Sequence, residues 1–373
     1  MKDRSEHIPE LDGIRGIAIL MVIGFHLVHS MPSVQQGLPD SINVLSRLGQ
    51  TGVDLFFVLS GFLITGILLR HRLLDGALKK FWGRRILRIF PLYYGTLLLV
   101  QFFPELRTLP LSDSAGDIWL WSYLANIPPT FQNLDTSLPH FWSLSVEEQF
   151  YFFWPLVVCW LSPRATVRTC LAFVAAAPII RAIFVAQGWS TFYALPCRID
   201  SLAAGGWLAG LIHLNRISSA ALVRLRPFIV GLCLLSAGWF AAASGAGNVS
   251  SQVLKQSVTT AIYLWLIAMA VLPANNMVFS AILCSRFLSV PGKYSYGLYV
   301  IHPMAIAFVN GQTLGAFPPP IRAIISVAMV VCVTSVAAGL SWAIIERPFL
   351  SLKKFFAYKT SVNDVVVERL SNQ

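Results

Sequence analysis

Ile8-Pro9-Glu10-Leu11-Asp12-Gly13-Ile14-Arg15-Gly16-Ile17-Ala18-Ile19-Leu20-Met21-Val22-Ile23-Gly24-Phe25-His26-Leu27 is the stretch on which the fold turns. Its length and apolar character are those of a membrane-spanning helix, yet it carries an arginine at its mouth and a histidine deep inside. Eleven residues at 100° each place Arg15 and His26 on one helix face, about 16 Å apart along the axis. In a hydrocarbon core about 30 Å thick, Arg15 would lie near one surface and His26 somewhat past the middle. An ionisable side chain at that depth marks a functional site, the plain alternative being an imidazole satisfied by a neighbouring helix. Glu6, Glu10, Asp12 and His26 interrupt or flank the segment and no A-x-A site follows, so it is expected to be retained rather than cleaved as a signal peptide.

Working outward, apolar segments near twenty residues recur through all 373 residues, which are 56% hydrophobic and 12% charged. Soluble domains carry about 25% charged residues. The pattern reads as an all-α, polytopic membrane protein with ten candidate helices, at 13–30, 52–69, 86–103, 142–161, 168–186, 200–214, 228–244, 257–273, 294–310 and 321–345. The net charge of +11 could suggest nucleic acid, but the basic residues gather in alternate connections. Placing both termini in the cytoplasm puts all but Arg47, Arg107, Arg181, Arg198, Lys255 and Arg322 on the inner side, as the positive-inside rule requires. Residues 1–350 form one transmembrane domain and 351–373 a short cytoplasmic tail. The six cysteines show no metal-ligand spacing, and neither disulfides nor a metal is expected. The long outer connection from Pro104 to Phe141 holds Asp113, Asp117, Asp135, Trp119, Trp121, Tyr123 and Phe131, and its aromatic and proline content favours an ordered, partly re-entrant segment.

Several strings carry chemistry. Lys79-Lys80-Phe81-Trp82-Gly83-Arg84-Arg85-Ile86-Leu87-Arg88 sits at the inner mouth of the third helix, with Arg85 and Arg88 three residues apart on one face. Two guanidinium forks so placed suit a phosphate-bearing ligand, although headgroup binding and topology setting explain most juxtamembrane basic runs. Phe141-Trp142-Ser143-Leu144-Ser145-Val146-Glu147-Glu148-Gln149-Phe150-Tyr151 opens the fourth helix, and Ser145 and Glu148 have the spacing of a capping box. Asp54 stands at the outer start of the second helix, where it could cap the first turn. Arg198 and Asp200 stand at the outer start of the sixth, where they could pair. Tyr294-Ser295-Tyr296-Gly297-Leu298-Tyr299-Val300-Ile301-His302-Pro303 brings a second histidine to about 12 Å depth. His26 and His302, on different helices at similar depth, make a shared polar site more plausible than either alone.

Taken together, these strings resemble the membrane acyltransferase 3 family, whose bacterial members O-acylate cell-surface carbohydrates. The likeness rests on Leu11-Asp12-Gly13-Ile14-Arg15-Gly16 with its R-x10-H spacing to His26, and on Gly52-Val53-Asp54-Leu55-Phe56-Phe57-Val58-Leu59-Ser60-Gly61-Phe62-Leu63. It continues through Arg85/Arg88, the Phe141–Tyr151 block, the Tyr294–Pro303 block and the closing Glu346-Arg347-Pro348. It spans about residues 8 to 350. The resemblance implies a multi-pass protein of the bacterial cytoplasmic membrane with acyl-CoA, most often acetyl-CoA, as co-substrate and no tightly bound cofactor. It implies a carbohydrate acceptor on the outer side, membrane lipids as surroundings, no nucleic acid, and leaves self-association open. Some relatives carry a fused hydrolase-like domain, and this chain is expected to act alone or with a separate partner.

On that basis Arg15, Arg84, Arg85 and Arg88 are the expected coenzyme contacts, His26 the general base, and Glu148, Asp12 and His302 its supporting catalytic groups, with Asp12 the poorer candidate by depth. Asp54, Ser145, Arg198, Asp200 and Tyr299 are the expected acceptor contacts. A thioester is already activated, so the main demand is deprotonation of the attacking hydroxyl, which suits a histidine titrating near neutrality. Covalent transfer through His26 is the competing mechanism. Acylation of a small glycoside such as a macrolide sugar is the competing reaction. A proton-coupled transporter is the reading from another class, and no inverted repeat supports it.

Overall fold

A computed structural model describes residues 8–108, 116–242, 249–272, 277–312 and 317–358. Lys2, Arg4, Asp113, Lys359 and Arg369 lie outside the described residues. The described chain is helical throughout, and ten long helices coincide with the ten apolar segments: α1 (Pro9–Ser30), α2 (Gly52–His71), α3 (Ala77–Phe102), α4 (Phe141–Trp160), α5 (Pro163–Ala186), α6 (Leu195–His213), α7 (Ser219–Ala242), α8 (Val249–Val271), α9 (Ser295–Asn310) and α10 (Pro319–Ser341). Start signals are local. Pro9 occupies the first turn of α1, and Pro163 opens α5 behind Ser162, whose Oγ accepts from the Ala165 N–H at 3.2 Å.

The bundle is inside-out relative to a soluble protein. Phe102, Trp160, Ile179, Ile324 and Ile344 are exposed, while Asp54, Arg181, Arg198, Asp200 and His302 are buried. Apolar side chains outward and ionisable ones inward is the arrangement lipid imposes. Among the described residues, five helical stretches are long and apolar enough to cross a membrane by length and composition alone, containing α1, α2, α5, most of α8, and α10. Of the others, α3 carries five basic residues in its first turns and α4 carries Glu147 and Glu148. The basic run from Lys79 to Arg88, expected at the inner mouth of the third helix, is helical throughout, and α3 starts nine residues before the expected start at 86.

Two close crossings hold the frame. A Cβ added at Gly61 of α2 would lie 1.8 Å from the Leu202 carbonyl oxygen of α6. A Cβ at Gly16 of α1 would lie 1.9 Å from the Leu288 carbonyl oxygen of the short helix Arg286–Lys293. Small residues at such contacts let backbones approach within lipid, where burial of apolar surface offers no net drive. Part of the long connection packs into the bundle: Leu120, Tyr123, Ala125 and Asn126 are buried, and the Tyr93 hydroxyl of α3 donates to the Leu120 carbonyl at 2.7 Å. Past α10, a π-helical turn (Trp342–Glu346) leads to the turn Leu352–Phe356, whose Phe356 ring packs where Gly83 leaves α3 bare.

Candidate active site

Five helices, α1, α2, α3, α4 and α9, line one cavity. From α1 comes Arg15, whose guanidinium is held by Asp12 at 2.6 Å, one helical turn back. From α3 come Arg85 and Arg88, the R-x-x-R pair on one face. The three arginines lie within electrostatic reach of one another, and the Arg85 guanidinium sits 5.2 Å from the Tyr151 ring centroid. Like charges gathered on a cavity wall make a receptor for an anion, and the guanidinium forks favour phosphate. Arg84 turns the other way, over the Tyr358 ring at 5.6 Å, outside the cavity lining.

α4 contributes Ser143, Glu147 and Tyr151, spaced four residues apart on one stripe, together with Glu148. The Tyr151 hydroxyl is hydrogen-bonded to Ser60 of α2. One carboxylate oxygen of Glu148, Oε1, is buried with no hydrogen-bond partner among the described residues. Ser145 does not form the capping box its spacing suggested. The helix begins at Phe141, so Ser145 stands inside it, where its Oγ accepts the Ala125 N–H of the connection between α3 and α4 at 3.2 Å and donates to the Phe141 carbonyl.

α9 closes the cavity with Tyr296 and Tyr299, and the histidines lie just beyond. The Tyr299 hydroxyl pairs with Ser143 Oγ at 2.5 Å and donates to the His140 carbonyl at 3.0 Å. Its ring centroid is 5.8 Å from that of His302. His302 Nε2 is 3.3 Å from His26 Nδ1, which joins the two histidines that the sequence placed at similar depth. Neither His26 nor His302 is part of the cavity lining; His26 is linked to it through His302 and Tyr299.

The tautomers follow from the carbonyls. Pro303 has no N–H, so the Tyr299 carbonyl one turn earlier lacks its helical donor. His302 Nδ1 fills the vacancy at 2.8 Å, with the Leu298 carbonyl at 3.1 Å. Nδ1 therefore carries the proton and Nε2 a lone pair. His26 Nδ1 faces that lone pair and the Val22 carbonyl at 2.9 Å, two acceptors, so it too is protonated. The lone pair of His26 is thereby assigned to Nε2, the nitrogen with neither of these partners.

The remaining expected residues fall elsewhere. Arg198 pairs with Asp54 at 2.8 Å, and Arg181 with Asp200 at 2.9 Å. Gln256 donates to Asp54 at 2.7 Å and Ser257 to Asp200 at 3.0 Å. These contacts tie α2, α5, α6 and α8 together in a buried network that does not line the cavity. Asp12 serves Arg15, and the fourteen residues separating it from His26 amount to about 21 Å of helix.

Sequence reasoning missed Glu147, Tyr151, Tyr296 and His140. The i, i+4, i+8 recurrence of Ser143, Glu147 and Tyr151 was the available signal for the first two. His140, whose ring centroid is 5.9 Å from that of His302, stands next to the helix start and carried none.

The family model for the acyltransferase domain matches residues 8–345. The peptidoglycan O-acetyltransferase OatA of Listeria monocytogenes is 28% identical over 373 residues, covering 92% of this chain and 56% of the relative. The O-acetyltransferase OatA of Staphylococcus aureus is 29% identical, with 92% of this chain and 57% of the relative covered. A putative peptidoglycan O-acetyltransferase of Bacillus subtilis, YrhL, is 29% identical over 93% of this chain and 56% of its own length. The chain spans about half the length of these curated relatives. No solved structure matches it.

Proposed function

The chain belongs to the acyltransferase 3 family, and from that membership we propose that it is a multi-pass membrane O-acyltransferase moving an acyl group, acetyl in the first instance, from acyl-CoA to a hydroxyl of a cell-surface glycan. All three relatives are named O-acetyltransferases, which supports the reaction, and two of them, one putatively, peptidoglycan O-acetyltransferases, which supports the acceptor class. One observation carries the donor: Arg15, Arg85 and Arg88 converge from two helices on a cavity also lined by Tyr299, whose ring centroid is 5.8 Å from that of His302. Coenzyme A matches such a site in outline, with several phosphate charges at one end and a thioester at the end of a long arm. Arg84, turned to Tyr358, is left to the cytoplasmic rim of that site. The basic ends of the helices face the cytoplasm, where acyl-CoA is made, and the cytoplasmic membrane is the location this orientation fits.

In this proposal the acceptor hydroxyl attacks the thioester carbonyl while His26 Nε2 takes its proton. The carbon–sulfur bond breaks and the thiolate leaves with the coenzyme. His302 accepts the hydrogen bond from His26 Nδ1, which fixes the tautomer that leaves Nε2 basic and stabilises the imidazolium that forms. Glu148 lies on the cavity wall rather than against His26, and is assigned to ligand contact. Transfer through an acyl-His26 intermediate uses the same nitrogen, and labelled acetyl-CoA without acceptor separates the two: stable label on His26 favours the covalent route.

The test of function is acetyl-CoA-dependent thiol release by the purified protein, together with NMR of acetyl signals on glycans from cells with and without the gene. Loss of a set of O-acetyl resonances on deletion is the expected result. Solute flux in vesicles with no thiol release would replace the enzyme by a transporter.

A further inference from the structure

The cavity changes character along its length. Ser143, Glu147 and Tyr151 follow one another on α4 and all three line it, so their stripe measures about 12 Å along the helix axis. Contacts between helices fix what stands at either end. At the Tyr151 end are the Arg85 guanidinium, 5.2 Å from the Tyr151 ring centroid, and Ser60 of α2, hydrogen-bonded to the Tyr151 hydroxyl. At the Ser143 end is Tyr299 of α9, its hydroxyl 2.5 Å from Ser143 Oγ. Phe56 of α2 meets Tyr299 there, with ring centroids 6.3 Å apart. Val53 and Phe57, within a turn of Phe56, and Leu144, next to Ser143, also line the cavity. One end is therefore cationic and the other is mostly hydrocarbon.

The hydrocarbon end is closed by ring contacts. Phe56 and Tyr299 meet edge to face at 78°, and Phe57 meets Trp142 at 86° with centroids 5.9 Å apart. Both separations are those of aromatic rings in contact, which leaves no passage for a chain between the members of either pair. Phe57 is 1% exposed, whereas Phe56 keeps part of its surface open, so Phe56 is the ring that a ligand at this end would meet. The two hydroxyls here are already engaged: Tyr299 and Ser143 bond each other, and Tyr299 donates to the His140 carbonyl at 3.0 Å. What remains on offer to a ligand is apolar surface.

This end is also the one beside the proposed chemistry, since the Tyr299 ring centroid is 5.8 Å from that of His302. A donor with its phosphates at the arginines and its thioester near Tyr299 would turn the hydrocarbon of its acyl group against Phe56. We propose that Phe56 is a specificity-determining residue, which closes the acyl end of the cavity against Tyr299 and restricts the donor to short acyl groups, acetyl over butyryl. This rests on acyl-CoA being the donor.

Phe56→Ala tests it, because it removes the ring and leaves the arginine end as it is. Dissociation constants of the full chain in nanodiscs are measured for acetyl-CoA, butyryl-CoA and free coenzyme A, which carries no acyl group. Wild type should bind butyryl-CoA at least about tenfold more weakly than acetyl-CoA, the scale on which a pocket rejects an extra methylene. Phe56→Ala should remove most of that difference and still bind free coenzyme A about as wild type does. Phe56→Leu should fall between. Equal binding of the two thioesters by wild type overturns the proposal and leaves the donor assignment standing. So does undiminished discrimination in a Phe56→Ala protein that binds free coenzyme A. Should that variant lose free coenzyme A altogether, Phe56→Leu decides, and full discrimination there overturns the proposal as well. A wild type that binds none of the three ligands brings down the donor assignment itself.

Discussion

At His302 the side chain and the residue after it act as a unit: Pro303 withdraws a backbone donor, and the imidazole takes over the Tyr299 carbonyl that it leaves behind. Because this fixes which nitrogen faces His26, His302→Ala should lower kcat about 100-fold, within the range of positioned acid–base groups, while leaving the dissociation constant of acyl-CoA within twofold. Single-turnover rates and equilibrium binding on the same preparation check the split; parallel loss of both would mean that His302 merely holds the fold. Arg88→Ala should do the reverse and weaken acyl-CoA binding by about 10- to 100-fold, as expected for losing a charge-assisted hydrogen bond. Arg88→Lys should recover only part, since an ammonium cannot present a two-pronged fork. At this scale the sequence was informative where chemistry is sparse. A histidine or an arginine inside an apolar run stands out, which is why His26, Arg15, Arg85, Arg88 and His302 were legible. Glu147 and Tyr151 were hidden inside a motif that already had a local explanation.

Among the elements, α2 and α6 meet so closely at Gly61 that a methyl group would overlap the Leu202 carbonyl oxygen. Gly61→Ala should therefore force the helices apart and lower the melting temperature of the detergent-solubilised protein by several degrees, the usual scale for 1–3 kcal/mol of overpacking in a structure of this kind. Fluorescence-detected size exclusion after heating reads this directly, and an unchanged melting profile would show that the crossing relaxes freely. Element existence was readable from apolar runs because a membrane helix needs about twenty such residues. Element starts were less so. α3 starts at Ala77, nine residues before its expected start, whereas α4 starts at Phe141, one residue from its expected start, and Ser145, one turn inside it, accepts the Ala125 N–H instead of capping.

Across the whole molecule, the buried pairs Arg198–Asp54 and Arg181–Asp200 join helices at positions outside the cavity lining. Sequence could show these charges near helix starts but not their partners, which come from segments up to 144 residues distant. Removing one member strands the other in a low-dielectric interior at a cost of about 3–5 kcal/mol. Asp54→Leu should accordingly destabilise strongly, and Asp54→Leu with Arg198→Met should be more stable than the single variant, as thermal unfolding would show. The orientation is tested in intact cells with single cysteines in a cysteine-free background: Ser218, beside the basic Arg216, should resist a membrane-impermeant maleimide, and Gln187, at the opposite end of α5, should react. The central claim is that a donor held by the arginines delivers its thioester to His26, and its most direct measurement is His26→Ala assayed for both acetyl-CoA binding and acetyl transfer. The proposed mechanism predicts binding within twofold of wild type and transfer reduced at least 100-fold, consistent with loss of a general base; undiminished transfer would contradict it.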